Sequence, residues 1–130
     1  MPEATKLESA YLFAETLQKL QSALEAKGMT IFATIDQRAA AQSVGLDMPP
    51  TTLLVYGNPT GGTPLMLATP DFALELPLKV LVREESSGKT IVLYTPATAL
   101  EGRHGLPAGM AAKLGAAEPL IAATIAAVKH

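Results

Sequence analysis

The stretch LKVLVREESSGKTIVLYT, residues 78–95, holds two apolar runs around a short polar centre. Leu78–Glu84 and residues 90–95 are rich in strand-forming side chains, and Ser86-Ser87-Gly88 between them supplies turn chemistry. That pattern spells a β-hairpin. Lys79, Leu81 and Arg83 share one alternation phase of the first run, and so one face of the strand. Strands joined this way are antiparallel neighbours.

Upstream, TTLLVY at residues 51–56 is apolar through its middle and reads as a central strand. Residues 29–35 and residues 5–11 read as two more strands. Between them Phe13, Leu17, Leu20 and Leu24 recur at helical spacing, with Glu15, Gln18, Lys19 and Ser22 on the outer face. Glu15 and Lys19 stand four apart in the favourable order for an ion pair. Gly28 sits where a left-handed residue closes a helix. Asp36 is placed to cap a short helix over residues 37–43, ended by Gly45, and Pro49-Pro50 breaks the chain before the next strand. Downstream, Pro119 suits a helix's first turn, and from there to Val128 the only polar side chain is Thr124. A helix apolar all round is covered all round. At ten residues it is too short to span a bilayer. Its second face is therefore expected against another subunit, as a homodimer, although alanine accounts for much of its apolarity. The order is strand, helix, strand, short helix, strand, loop, two strands, helix. Short connections favour the α+β class, with a largely antiparallel sheet and helices on one face.

A chain of 130 residues fits one domain, residues 1–130, and can bury a stable core without staples. The absence of cysteine excludes disulfides, thiol catalysis and thiolate zinc sites. The net charge is -2 and the bases are scattered, so nucleic acid is not an expected partner. The first residues lack a basic region and an apolar run, and no apolar stretch is long enough to span a membrane. The expectation is a cytoplasmic protein with no membrane association.

The segment GNPTGGTPLM, residues 57–66, is the best candidate for chemistry. Asn58-Pro59 can start a turn, and Gly61-Gly62 permits backbone conformations closed to other residues. Thr63 is a good N-cap and Pro64 a good first helical residue. Together they predict a short helix whose amino end opens onto a glycine turn, a place that suits an anion. The plainer reading is a tight strand-to-helix connection. The segment is not G-x-G-x-x-G, and Gly88-Lys89-Thr90 is no Walker motif because Arg83 stands where its first glycine belongs.

His104, the only internal histidine, can shuttle a proton near neutral pH or simply make local hydrogen bonds. Asp36 is a candidate general base, with helix capping as its plainer role. Lys79 and Arg83 can face an acidic ligand or form a solvated stripe. Tyr56 and Tyr94 read as core side chains of their strands. One internal histidine and no cysteine leave no metal site, and no cofactor motif is present.

A strand ending in Gly57-Asn58-Pro59, then Gly62-Thr63-Pro64-Leu65-Met66, then Leu76-Pro77-Leu78-Lys79, resembles the domain of unknown function 302 family. The amphipathic first helix, Ile35-Asp36, Val44-Gly45-Leu46 and Arg103-His104-Gly105-Leu106 match in order. The resemblance runs from about residue 5 to residue 106 and on toward the end. It implies a β-α-β(4)-α, TATA-binding-protein-like arrangement and a tendency to dimerise; it implies no activity, and the fold name carries no DNA binding. Two places depart from the pattern. Gln37 stands where many relatives carry His, and Thr95-Pro96 where many carry Asn-Asp. Chemistry resting on those groups in relatives is not expected here.

The leading expectation is a dimeric module that binds a small, anionic ligand through Asn58, Thr60, Gly61, Gly62, Thr63 and Met66, with His104 nearby. One alternative is an enzyme using His104 or Asp36 as acid or base. Another is a structural partner protein that docks through its terminal helix.

Overall fold

A computed structural model describes residues 4–127. Five strands, β1 (Thr5–Glu8), β2 (Thr30–Asp36), β3 (Thr51–Gly57), β4 (Leu78–Glu84) and β5 (Thr90–Tyr94), form one sheet in the order β1-β5-β4-β3-β2. Every neighbouring pair is antiparallel. The hairpin over residues 78–95 is present, with Val82 opposite Val92 and Gly88 left-handed in its turn. The helices are α1 (Phe13–Ala26), α2 (Gln37–Gln42), α3 (Pro59–Ala68) and α4 (Ala117–Ile125). The fold is α+β, as its pattern predicts.

Alternation builds the core. Thr52, Leu54 and Tyr56 of β3, Val80 and Val82 of β4 and Val92 of β5 are buried. Leu20 and Leu24 of α1 and Ala117, Ile121 and Ile125 of α4 pack with them. A smaller cluster of Leu65, Phe72, Leu100, Leu106 and Ala111 joins α3 to the turns between α3 and β4 and between β5 and α4. Those turns are short 3-10 segments, Pro70–Glu75, Ala97–Leu100, Arg103–Gly105 and Ala111–Ala116, which the periodicity does not predict.

Several expectations need correction. β1 stops at Glu8 because Ser9 turns the chain, its Oγ accepting from the Tyr11 N–H. Leu20 and Leu24 of α1 are fully buried and Phe13 and Leu17 pack partly buried against the same core, as their spacing predicts; Thr16 is also fully buried, its hydroxyl 2.6 Å from that of Ser9. Lys19 does not pair with Glu15; its Nζ lies 4.5 Å from the Tyr11 ring centroid. Gly28 closes α1 as expected at φ +80, with Met29 N–H donating to Leu24 C=O. Asp36 caps α2, accepting from Ala39 N–H at 2.9 Å. β2 carries a bulge: Ile31 pairs with Tyr56 and Ala33 with Val55, so Phe32 has no cross-strand partner.

α4 begins at Ala117, before Pro119, and its expected end at Val128 lies outside the described residues. Ala117, Ile121 and Ile125 are buried, while Pro119, Ala122, Ala123 and Ala126 are exposed. The all-round apolarity is thus satisfied largely inside the protomer, with small side chains outward.

Candidate functional site

A cavity of about 270 Å³ opens at the end of the sheet where β3 leaves and β4 enters. Its position follows from the local sequence. Gly57 ends β3, and Asn58 turns the chain at once into α3, its side-chain oxygen accepting from the Thr60 N–H at 3.0 Å. The first turn of α3, with Pro59, Gly61 and Gly62, forms one wall, and Met66 continues it. Tyr56, Leu78 and Met29 come from the sheet end, and the bulge adds Phe32, which is 53% exposed. Leu76 and Pro77, joined by a cis peptide bond, close a third side. Lys113, Leu114 and Ala116 of the last 3-10 segment, with Ala117 of α4, complete the rim.

The start of α3 differs from the expectation. Asn58 is the N-cap, and Thr63 and Pro64 lie inside the helix. The Gly61 and Gly62 N–H groups both donate to the Asn58 carbonyl, at 3.0 and 2.8 Å. With Thr60 N–H on the Asn58 side chain and no N–H on Pro59, the first turn has its donors occupied. The open amino end that would suit an anion is absent. Neither glycine has a positive φ, so the glycine turn is absent too.

The chemistry of the cavity is mainly apolar, with few polar side chains. Tyr56 is only 3% exposed yet lines the space, and its hydroxyl has no hydrogen-bond partner among the described residues. Burial, aided by the charge of Glu118 and by Tyr94, pushes this phenol up to about 12. It is therefore a neutral donor across the physiological range. Lys113 is exposed at the rim and is the only formally charged lining residue among the described residues.

Of the residues expected at the site, Asn58, Gly61, Gly62 and Met66 line the cavity together. Thr60 and Thr63 are exposed residues of the same helix and do not line it. His104 lies elsewhere, in a separate polar cluster. Its Nε2 is 2.7 Å from Glu75 Oε2, Arg103 Nη1 is 2.9 Å from Oε1, and its ring meets Phe72 edge-on with centroids 6.3 Å apart. Its φ of 57 is left-handed, a conformation non-glycine residues adopt at a cost and keep only when their surroundings hold them. The hydrogen bond from His104, reinforced by Arg103, holds the Glu75 carboxyl below its ordinary 4.5. No group of three or more His, Cys, Asp or Glu able to hold a metal occurs among the described residues.

Sequence reading missed Met29, Phe32, Tyr56, Lys113 and Leu114 as lining residues. Tyr56 was legible as a strand residue at the strand's end, the place where a side chain can be core and cleft wall together. Lys113 carried no signal, because its position depends on how the 3-10 segment folds back.

Comparison with known proteins agrees with this architecture. The family model described as "Domain of unknown function DUF302" matches residues 5–127. The crystal structure of an uncharacterized conserved DUF302 protein from Bacillus stearothermophilus superposes with a TM-score of 0.79 over 94% of each chain, at 22% identity. Among curated proteins, "Fluoride-specific ion channel FluC 1" of Brucella suis is 36% identical over 100 residues, covering 77% of this chain and 39% of that protein. "Fluoride-specific ion channel FluC 2" of Brucella melitensis is 36% identical over 100 residues, covering 77% of this chain and 37% of its own length. The chain thus spans under two fifths of the second relative and about two fifths of the first. No helix among the described residues is long and apolar enough to cross a membrane.

Proposed function

The chain belongs to the domain of unknown function 302 family, and from the geometry of the cleft we propose that it is a small-molecule-binding module. The observation that carries this reading is the pair Gly61-Gly62. Each glycine in a helix costs about 1 kcal/mol relative to alanine. Neither a positive φ nor a close neighbour among the described residues asks for that sacrifice. A Cβ on Gly61 would meet nothing within 4 Å, and one on Gly62 would meet Leu76 Cδ1 at 3.7 Å, an ordinary contact. Both glycines line the cavity, so what they preserve is open space and close access to the main chain. The volume of this open cleft, about 270 Å³, is just below the usual span of ligand pockets, roughly 300–1,000 Å³, and suits a compact molecule.

Acid–base catalysis by His104 or Asp36 has less support, since neither lines the cleft. A cytoplasmic location and a homodimer docked through α4 belong to the same proposal. The support for the dimer is the small apolar surface of Pro119, Ala122, Ala123 and Ala126. A fragment screen by amide chemical-shift mapping tests the binding reading. Compact apolar fragments are expected to shift the amides of Tyr56, Met66 and Leu114. Gly61→Leu should abolish those shifts, and Thr63→Leu, on the exposed side of α3, should leave them. A screen with no hit mapping to the cleft contradicts the reading.

A second reading rests on the channel-named relatives. They match this chain over about two fifths of their length, and the described residues contain no membrane-crossing helix. We propose that domains of this kind also serve as extramembrane modules of fluoride channels. Deleting this chain in its source organism should then lower fluoride tolerance; unchanged tolerance counts against that role.

A further inference from the structure

Resting on the cleft reading above, we infer that the ligand is a small organic carboxylate with an apolar body and a second, uncharged acceptor. The inference comes from a census of polar side chains. The cleft has three: Tyr56, Asn58 and Lys113. Asn58 spends its side-chain oxygen on Thr60 N–H, which leaves its amide nitrogen to donate. Lys113 is a cation with three donors and no acceptor. Tyr56 keeps its proton and has no partner among the described residues. The site therefore offers donors and one positive charge, and no carboxylate lines it among the described residues.

The Tyr56 hydroxyl makes no hydrogen bond to the described residues and is not one of their fully buried orphan atoms, so it is a donor open to an acceptor in the cavity. Tyr56 lies against the cavity, so a ligand acceptor is the group that completes it. The anion goes elsewhere. Glu118 acts on Tyr56 by its charge, and its Oε2 accepts from Ala97 N–H at 2.7 Å. That negative charge disfavours an anion beside the phenol. The carboxylate belongs at the mouth, between Lys113 and the Asn58 amide, while the neutral acceptor reaches inward to Tyr56. Met29, Met66, Leu76 and Leu114 enclose the body between them.

Three probes of one shape separate these claims: 4-acetylbenzoate, 4-acetylbenzamide and 4-isopropylbenzoate. Titration by amide chemical shifts should rank 4-acetylbenzoate first. It should bind about three- to fivefold more tightly than the benzamide, the size an exposed ion pair supports. It should bind about tenfold more tightly than the isopropyl compound, the size of one buried hydrogen bond. Lys113→Gln should erase the first ratio alone, and Tyr56→Phe the second alone. Equal affinities for the three probes overturn the ligand class while leaving the cleft reading intact. Ratios that survive both substitutions also overturn it. No shift from any probe at millimolar concentration overturns the class and the cleft reading together.

Discussion

His104 shows how a single residue can be conspicuous in sequence and local in structure. Its left-handed backbone is held by the hydrogen bond to Glu75, which Arg103 shares. Glu75 has its folded value lowered below 4.5, so its contribution to stability is fully present above that pH. It is lost as the pH falls through the lowered value. The wild type should therefore lose stability below about pH 4.5, relative to Glu75→Gln, in denaturant midpoints taken across pH 3 to 7. Parallel pH profiles for the two proteins would show that the cluster contributes nothing. At the same scale, Asp36 and Gly28 do what their residue types announce, capping α2 and closing α1. Tyr56 was only half legible. Its alternation marked it as core, and its role in the cleft appears only once α3 and the last 3-10 segment stand beside it.

At the scale of elements, the strands and the amphipathic helix α1 were legible because their signals are periodic. β4 has the bounds its pattern predicts, Leu78–Glu84, and α1 was identified by its leucines. The start of α3 was misread because Thr63-Pro64 imitates a cap more fully than Asn58-Pro59 does. The chain chose the earlier cap, where Asn58 satisfies three N–H groups between its side chain and its carbonyl. The four 3-10 segments have no period to read. Two substitutions probe these elements. Gly61→Ala should stabilise the fold by about 0.5–1 kcal/mol, since the position is helical and has room for a methyl. A destabilised variant in urea melts would mean that the glycine is needed by the backbone and not by the cleft. On β5, Thr90 is 2% exposed and its hydroxyl has no partner among the described residues. Thr90→Val keeps the shape and removes the orphan, so the melting temperature should rise by a few degrees, about 1 kcal/mol. A fall would show that the hydroxyl is satisfied.

At the scale of the molecule, α1 and α4 share one face of an antiparallel sheet, and the cleft lies at its end, where β3, α3, β4 and the start of α4 converge. The fold class could be read from the 78–95 hairpin and the short connections around it. The cleft could not, because its walls come from segments up to 88 residues apart, Met29 and Ala117, and only the packed chain brings them together. The measurement that tests the central claim most directly is native mass spectrometry of the protein purified gently from its source, wild type beside Gly61→Leu. The account predicts a small additional mass on the wild type that the variant lacks. An additional mass carried equally by both, or by neither, would contradict it.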